Sequence, residues 1–215
     1  MLEEIRPLQR PDYEDDPSAG MALTNQHEQH TAHMQELERR ANVDALTGLL
    51  KREAFEERMK ELLQRFRKRR IGDSLERVSF LLIDVDRFKS VNDTHGHPVG
   101  DKVLRLVADA IKRHVRRDSD LTARWAGDEF AVCLENAGNE AIGKAEEIRR
   151  EVESAEVVLF DGNKIKVTVS IGVAETTGPR GVERLYKKAD EALYDSKGNG
   201  GRNHVAVAGL LNEDS

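Results

Sequence analysis

The sequence predicts an α+β domain in which one central, mostly antiparallel sheet is flanked by helices. Three observations predict it. Short apolar runs alternate with longer segments of helical periodicity, two of the short runs form a central hairpin, and the chain of 215 residues has the length of one domain with an extension. Hydrophobic residues make up 38% of the chain and charged residues 34%, a balance typical of globular proteins with a polar surface.

The residues before the domain carry a different pattern. Residues 1–20 contain three prolines and an acidic run and predict a disordered arm. Residues 21–41 predict an N-terminal helix, because seam residues recur there at spacings of four and three: Leu23, His27, His30, Met34, Leu37 and Ala41. The seam is short, so two interpretations stay open. The helix either packs on its own domain or forms a parallel dimer stalk with a second copy.

The domain is expected to span residues 42–208, followed by a tail at 209–215. Helices are predicted where apolar residues recur on one side of a helical period, at Lys51–Arg70 and Pro98–His114. Short apolar runs predict a strand at Val78–Ile83 and, with a turn between them, a hairpin of Leu121–Trp125 and Phe130–Leu134. The same criteria, with an Asp161-Gly162 turn, predict the rest: a helix at Asn139–Ser154, strands at Val157–Phe160 and Lys164–Val173, a helix at Val182–Ser196, and a strand at His204–Ala208.

Charge and cysteine content exclude several classes of protein. The formal net charge of -6 argues against binding a nucleic acid polymer, which needs a broad basic face, whereas a small phosphorylated ligand needs only a local cluster. Cys133 is the only cysteine, lies in an apolar run and is expected to be a buried structural thiol in a cytoplasmic protein. No apolar stretch approaches the ~20 residues of a membrane span, and the N-terminus does not resemble a signal peptide.

Acidic residues gather where two neighbouring strands are expected to end. Asp84 and Asp86 close one strand and, two residues apart, face the same side. Asp128 and Glu129 lie at the hairpin tip. If the hairpin lies beside the first strand, three or four carboxylates converge and repel one another unless a cation neutralises them. Hard oxygen ligands without His or Cys suit Mg²⁺, which in proteins commonly serves a nucleoside triphosphate.

Cationic residues provide a candidate phosphate site elsewhere in the chain. The sequence lacks the G-x-x-x-x-G-K-[ST] pattern of P-loop proteins. The glycine-rich stretch Gly198–Gly201 follows a helix, which is typical of a C-terminal capping loop. Lys197 and Arg202 flank this loop, and both side chains are long enough to reach a triphosphate.

Five sequence blocks resemble the GGDEF-domain diguanylate cyclase family, in family order and with near-family spacing. The block RWAGDEF at Arg124–Phe130 is similar to the signature hairpin, here as an AGDEF variant. The other four blocks are DALTGL at Asp44–Leu49, the D-x-D-x-F-K-x-x-N-D-x-x-G-H-x-x-G-D pattern at Asp84–Asp101, SIGV at Ser170–Val173, and ADEALY at Ala189–Tyr194. The resemblance covers about residues 42–208. It implies a ferredoxin-like, palm-like nucleotide-cyclase fold.

The resemblance implies a role for each matching residue at the reacting centre. Asp84, the backbone carbonyl of Val85 and Asp128 would hold two Mg²⁺ ions, which Mn²⁺ could replace. Glu129 would assist at the metals or at the attacking 3′-hydroxyl group, and Arg124 would lie close to the same site.

The resemblance also implies a set of substrate contacts. Asn92 and Asp101 would bind the guanine edge, where an amide and a carboxylate match the mixed donors and acceptors of the base. The remaining substrate contacts would come from backbone N–H groups near residues 87–89 and from the following residues: Phe88, Lys89, Gly127, Lys197 and Arg202.

The activity that the resemblance implies is the condensation of two GTP molecules into cyclic di-GMP and two pyrophosphates. One subunit binds one GTP, so a homodimer is required, which favours the stalk interpretation of the N-terminal helix. Arg117 and Asp120 match the R-x-x-D motif of product inhibition and would bind cyclic di-GMP as an allosteric ligand. A further arginine often contributes in the family, and Glu147 stands near that place here.

Three departures from the family pattern leave alternatives open. Ala126 replaces the first glycine of the hairpin, Lys51 replaces the usual asparagine near the first block, and the loop from Lys197 to Arg202 is one residue longer than the common form. The main alternative is a degenerate domain that binds GTP or cyclic di-GMP as a receptor without catalysis. A cyclase of mixed purine dinucleotides and a scaffold acting through the N-terminal helix are the others.

Overall fold

The computed structural model describes residues 34, 37, 40–68, 77–116, 118–135, 137–176, 182–198 and 201–208. The chain divides into two units, Met1–Ala41 and Asn42–Ser215. In the first unit Met34 and Leu37 are helical, and their side chains are 44% and 45% exposed. The predicted arm and most of the predicted N-terminal helix lie outside the described residues.

The second unit contains one large sheet and one small hairpin of strands. In chain order its elements are β1 (Leu50–Lys51), α1 (Arg52–Lys68), β2 (Val78–Val85), α2 (Phe88–His95), α3 (His97–His114), β3 (Leu121–Ala126), β4 (Glu129–Glu135), α4 (Glu140–Ser154), β5 (Val157–Val158), β6 (Lys164–Ile165), β7 (Val169–Thr176), α5 (Val182–Gly198) and β8 (Val205–Val207). The large sheet has the order β1-β3-β4-β2-β7-β8, in which the four inner strands are antiparallel and both edge strands pair in parallel. The predicted α+β fold is confirmed.

Three element predictions were wrong, each for a physical reason. Lys51 lies in β1 and not in the following helix, because it pairs with Arg124 of β3. The helix α2 was missed because it is short, has no fully buried residue and therefore shows no apolar period. The strand predicted at Lys164–Val173 is two strands, β6 and β7, which belong to different sheets.

The central strand β2 is covered on both faces, which explains its continuous apolar sequence. Leu81 and Ile83 belong to the core that includes α3 and α4, whereas Phe80 and Leu82 belong to the core that includes α1 and α5. Cys133 is buried as predicted, and burial raises the pKa of its thiol. Within the described part of the chain, no helix is long and apolar enough to cross a membrane.

Helix α5 lies directly on strand β7 because Gly172 has no side chain. A Cβ atom on Gly172 would lie 2.0 Å from the backbone oxygen of Ala189 and 2.6 Å from the backbone nitrogen of Leu193. Real Cβ atoms do not approach backbone atoms so closely, so any larger residue would push the helix off the sheet. Since α5 ends at Gly198, this contact also sets where the side chain of Lys197 lies.

We therefore expect Gly172→Ala to lower the free energy of unfolding by about 3 kcal/mol, the cost of overpacking a rigid contact. Gly143→Ala is the matched control, because Gly143 lies in α4 with nothing within 4 Å of the added Cβ. Replacing an exposed helical glycine by alanine should stabilise the protein by about 0.5–1 kcal/mol. Urea denaturation followed by circular dichroism measures the free energy of unfolding of both variants. Equal effects of the two substitutions would contradict the close approach of α5 to Gly172.

Candidate active site

The hairpin of β3 and β4 carries its acidic tip to the end of β2. Glu129 and Asp84 are direct partners across the antiparallel pair, and the Val85 N–H donates to the carbonyl oxygen of Asp128 at 3.3 Å. Gly127 turns the chain at the tip with φ of 49°. The sheet therefore brings Asp84, Asp128 and Glu129 together at one edge.

These carboxylates disfavour one another's ionised form. Burial raises the pKa of Asp84, and the charges of Asp128 and Asp86 add to this effect, while Lys197 opposes it. Burial likewise raises the pKa of Glu129, and Asp84 is the nearest like charge that contributes. Like charges placed directly opposite each other on neighbouring strands are destabilising, so this edge of the sheet needs a cation.

Lys197 supplies a positive charge at this edge. Its Nζ lies 2.8 Å from Oδ2 of Asp84, and its side chain is 30% exposed. Among the residues that the structure describes, no three His, Cys, Asp or Glu side chains are close enough together to hold a metal ion. The donor set of Asp84, Asp128 and Glu129 nevertheless consists of hard oxygens whose repulsion Lys197 relieves only in part, which fits a divalent cation such as Mg²⁺ in its place.

Asp86 does not offer its carboxylate to this cluster. Its side chain accepts hydrogen bonds from Thr168 Oγ1 at 2.7 Å, from Ser170 Oγ at 2.7 Å and from the backbone N–H of Asn203 at 2.9 Å. The expectation of up to four convergent carboxylates is therefore wrong for Asp86, because protein donors already satisfy both of its oxygens.

A second group of predicted residues meets where α2 packs on α3. A Cβ on Gly100 would lie 2.0 Å from Asn92 Oδ1 and 3.2 Å from Phe88 Cζ, so Gly100 makes room for both side chains. Among the residues that the structure describes, the buried Asn92 Oδ1 has no hydrogen-bond partner. Asp101 follows Gly100 and is half-buried. An unpaired buried amide oxygen beside a carboxylate is an arrangement that a ligand with N–H donors would satisfy.

Of the predicted phosphate contacts, Lys197 contacts the carboxylate cluster directly, through Asp84. The backbone of Arg87 is left-handed, with φ of 56°, and it begins α2, in whose first turn Lys89 is exposed. Lys197 is the last basic residue of α5. Arg202 is exposed and left-handed, with φ of 69°. Positive side chains and the N-terminus of α2 are thus available near the acidic edge.

Arg124 holds the hairpin and does not extend freely into the site. Its Nε donates to the Gly127 carbonyl at 2.9 Å, and its Nη1 lies 3.3 Å from Oδ2 of Asp44. Burial acts to raise the pKa of Asp44, but hydrogen bonds from Thr47 and the charge of Arg124 hold it below its usual value. No role was predicted for Asp44 from the sequence. Its position in the family-like block DALTGL, three residues before Thr47, was a signal that could have indicated one.

Ala126 is accommodated without backbone strain. Positive φ angles among described residues other than glycine occur at Arg87, Arg202 and Asn203, and Ala126 is exposed. Of the two residues in the AG dipeptide, only Gly127 needs a conformation that favours glycine. The first departure from the family pattern therefore leaves the geometry of the turn unaffected.

The predicted inhibitory site is described only in part, because Arg117 lies outside the described residues. The side chain of Asp120 is 2% exposed, and Lys144 Nζ lies 3.3 Å from its Oδ2. Asp120 also accepts hydrogen bonds from the backbone N–H of Arg116 and of Glu135. A ligand would have to displace one of these donors to bind the carboxylate of Asp120.

Two cavities lie near the predicted sites. A cavity of about 500 Å³ is bordered by the turn at Val43–Leu50, by α1 and by Asp118–Thr122. A groove of about 470 Å³ runs between the hairpin and α5 and is lined by Glu129, Asp190, Glu191, Leu193, Tyr194, Asp195 and Lys197. Tyr194 is 77% exposed on this groove, which opens directly beside the acidic edge.

Comparison with known proteins identifies one family. The family described as "Diguanylate cyclase, GGDEF domain" matches residues 41–204. Diguanylate cyclase A of Treponema denticola is 44% identical over 139 residues, which are 64% of this chain and 37% of that protein. Diguanylate cyclase DosC of Escherichia coli is 45% identical over 131 residues, 60% of this chain and 28% of that protein. The chain thus matches about a quarter to two fifths of these relatives' length.

Solved structures show the same fold. The coiled coil and GGDEF domain of DgcB from Caulobacter crescentus, in complex with c-di-GMP, aligns with a TM-score of 0.78 and 32% identity, covering 89% of this chain and 98% of that one. The diguanylate cyclase SiaD from Pseudomonas aeruginosa, in complex with its activator SiaC, aligns with a TM-score of 0.72 and 30% identity, covering 89% of this chain and 71% of that one.

The turn at the hairpin tip yields a prediction on stability. Gly127→Ala should lower the free energy of unfolding by about 1 kcal/mol, because alanine is disfavoured in the left-handed conformation. Ala126→Gly should cost about 0.5 kcal/mol, from the chain entropy of glycine alone. Denaturant unfolding of both variants measures this order, and a stabilising Ala126→Gly would contradict the unstrained geometry of Ala126.

Proposed function

The chain belongs to the family of GGDEF-domain diguanylate cyclases, and from this premise we propose that it condenses two GTP molecules into cyclic di-GMP and two pyrophosphates. The observation that carries the proposal is the cluster of Asp84, Asp128 and Glu129 at the end of β2. The buried Asn92 Oδ1, which has no partner among the described residues, adds an acceptor for a base. Asp84, Asp128 and Glu129, which the family resemblance assigns to the reacting centre, are all retained and meet at the end of β2, which favours an enzyme over a degenerate receptor.

Asp84, the backbone carbonyl of Val85 and Asp128 are the residues that would hold Mg²⁺, with Glu129 beside them, and Mn²⁺ could serve in its place. When bound, the metal polarises phosphoryl oxygens and lowers the pKa of the attacking hydroxyl group. Lys197 would then exchange its contact with Asp84 for a contact with the triphosphate.

Asn92 and Asp101, which lie where α2 packs on α3, would select guanine. Asn92 Oδ1, which has no partner in the described part of the chain, would accept a hydrogen bond from the N–H edge of the base. Asp101, one residue after Gly100, would accept a second. An unpaired buried acceptor is costly to leave unsatisfied, so a base without N–H donors at these positions would bind much less tightly.

The remaining residues of the chain would position the reacting groups. Lys89, Lys197 and Arg202 would neutralise and orient the phosphates, with the backbone at Phe88 and Gly127 close by. Phosphoryl transfer needs the attacking oxygen in line with the leaving group, and enzymes accelerate it mainly through positioning and charge neutralisation. Glu129, which is paired with Asp84 across the two strands, would contact the 3′-hydroxyl group or the metal.

The proposed reaction needs a homodimer, because one chain binds one GTP and the product contains two nucleotides. Met34 and Leu37 are exposed apolar residues on a helix, and Ala41 continues their spacing. The aligned structure of DgcB includes a coiled coil. We infer that residues 21–41 form a parallel stalk that brings two catalytic domains together.

Product inhibition is part of the same proposal. Cyclic di-GMP carries two phosphates and two guanines, which suit the guanidinium group of Arg117. The buried carboxylate of Asp120 would orient the loop that carries this arginine. Glu147 stands near the place of the family's further arginine, and its Oε2 lies 3.3 Å from His114 Nδ1. An acidic side chain could not replace an arginine in binding the phosphates.

Incubation of the purified protein with GTP and Mg²⁺ should yield cyclic di-GMP and pyrophosphate, separated by chromatography. Asp128→Asn should lower the rate by about 100-fold or more, because it removes a metal-binding carboxylate while keeping the size of the side chain. Omission of the divalent cation should abolish the product as well.

The control is Glu175→Gln, which should leave the rate unchanged. Glu175 lies at the far end of the β2–β7 pair, where its carboxylate accepts a hydrogen bond from Ser79 Oγ at 3.0 Å. Folded, dimeric protein that is free of bound cyclic di-GMP and still makes no product would contradict the enzyme and favour the receptor. Retention of activity in Asp128→Asn would exclude the proposed metal site.

Removal of residues 1–41 should make the cyclase rate steeply dependent on protein concentration. Without the stalk the two half-sites meet only by collision, so the rate at about 1 μM protein should fall at least ten-fold. Analytical ultracentrifugation reports the oligomeric state in parallel. If the N-terminal helix were a scaffold, its removal would cost a binding partner and leave the cyclase rate unchanged. A truncated chain that stays dimeric and keeps the full cyclase rate would contradict the stalk.

A further inference from the structure

Asp86 is a buried carboxylate that the proposed metal and guanine sites do not use. It is 7% exposed, and its oxygens accept from Thr168 Oγ1, Ser170 Oγ and the backbone N–H of Asn203. A buried charge is stable only when such donors surround it. Two of the donors belong to the segment entering and forming β7, but the third comes from the turn between α5 and β8.

The backbone of that turn has an unusual conformation. Gly201, Arg202 and Asn203 have φ angles of 75°, 69° and 50°, so three consecutive residues are left-handed. A residue other than glycine in this region is strained by about 1 kcal/mol or more and keeps the conformation only where other contacts impose it. The hydrogen bond from the Asn203 N–H to Asp86 is one contact of this kind.

Asn203 is also held by its side chain. Arg149 Nη1 donates to Asn203 Oδ1 at 2.8 Å, and Asn203 Nδ2 donates to Glu153 Oε1 at 2.7 Å. An asparagine amide can accept and donate at once, and asparagine tolerates the left-handed conformation better than most residues. Asn203 thus connects the end of β2, through Asp86, with helix α4.

Arg202 lies between two anchored points of the chain. Its own N–H donates to the carbonyl of Ser196, in the last turn of α5 beside Lys197, at 3.2 Å. The next N–H, that of Asn203, is bound by Asp86. The two cationic residues assigned to the triphosphate are therefore positioned by the same turn.

We propose that Asp86 is a positioning residue that fixes the left-handed turn at Gly201–Asn203 and thereby holds Lys197 and Arg202 in place for the triphosphate. The statement about the triphosphate rests on the proposed function. Asp84 and Asp86 share one face of one strand end, yet Asp84 faces the substrate, whereas Asp86 acts through the turn.

The test uses the full chain with Asp86→Asn, and Glu175→Gln as the control for loss of a hydrogen-bonded carboxylate on the same two strands. The ligand is 3′-deoxy-GTP with Mg²⁺, which lacks the attacking hydroxyl group and is not consumed. Its affinity is measured by calorimetry for the wild type, Asp86→Asn, Arg202→Ala and the double variant. Because Trp125 is the only tryptophan, its fluorescence gives a second record of binding.

We expect Asp86→Asn to weaken binding of 3′-deoxy-GTP about ten-fold in the wild type and only about three-fold in the Arg202→Ala background, because that background has already lost the contact of Arg202 and only the effect through Lys197 remains. Affinity for Mn²⁺ alone, measured by electron paramagnetic resonance, should not change. Additive losses from Asp86→Asn and Arg202→Ala would overturn the proposal, because Asp86 would then act independently of Arg202. A loss of Mn²⁺ affinity in Asp86→Asn would also overturn it and would make Asp86 a metal ligand.

Hydrogen exchange tests the turn without any nucleotide. The amide of Asn203 should exchange about ten-fold faster in Asp86→Asn than in the wild type and unchanged in Glu175→Gln, since only the first loses its acceptor charge. Unchanged exchange would overturn the anchor. Wild-type protein that binds no 3′-deoxy-GTP would contradict the proposed function, and the exchange result would still decide whether Asp86 fixes the turn.

Asn203 provides variants in case Asp86→Asn does not fold. Asn203→Gly keeps the left-handed conformation and the N–H to Asp86, whereas Asn203→Ala keeps the N–H but disfavours the conformation. Affinity for 3′-deoxy-GTP should therefore fall in the order wild type, Asn203→Gly, Asn203→Ala. An Asn203→Ala variant that binds as tightly as the wild type would contradict the role of the turn.

Discussion

The direct opposition of Asp84 and Glu129 across β2 and β4 is the constraint on which the rest of the site depends. Neighbouring strands place these two carboxylates side by side, and burial raises the pKa of both. The register that produces this repulsion is fixed by the apolar residues of β2, which are buried on both faces, so the acids cannot separate without exposing the core. A repulsion that the core imposes can only be relieved by a cation.

The chain places its own cation beside Asp84, and the fold determines that placement. Gly172 lets α5 lie against β7, and Lys197 in the last turn of the helix thereby reaches Asp84. Arg124 fixes the other side by joining the hairpin tip to Asp44. Two rigid contacts therefore bracket the acidic edge, and the lysine between them is partly exposed and able to exchange partners. A site that binds a metal–nucleotide complex requires this combination of rigid acids and a movable cation.

The sequence predicted the sheet, the main helices and the acidic edge, because their apolar periods and family-like blocks are local. It did not predict α2, whose residues have no buried stripe, or Lys51 in β1, whose conformation depends on pairing with Arg124. It also grouped Asp86 with Asp84, because strand alternation gives the side on which a residue lies but not its partners. The donors of Asp86 come from residues 82 to 117 positions away, which no local pattern contains.

The contrast between Asp84 and Asp86 shows how one strand end serves two purposes. Asp84 lies in β2 and is half-buried, whereas Asp86 immediately follows the strand and is buried. Asp84 has the partly exposed Lys197 as its partner, whose place the proposed cation would take. Asp86 has two hydroxyl groups and one backbone N–H, which satisfy its oxygens within the protein. Asp84 and Asp86 stand only two positions apart, so the difference between the roles proposed for them follows from their neighbours in space and not from their place in the sequence.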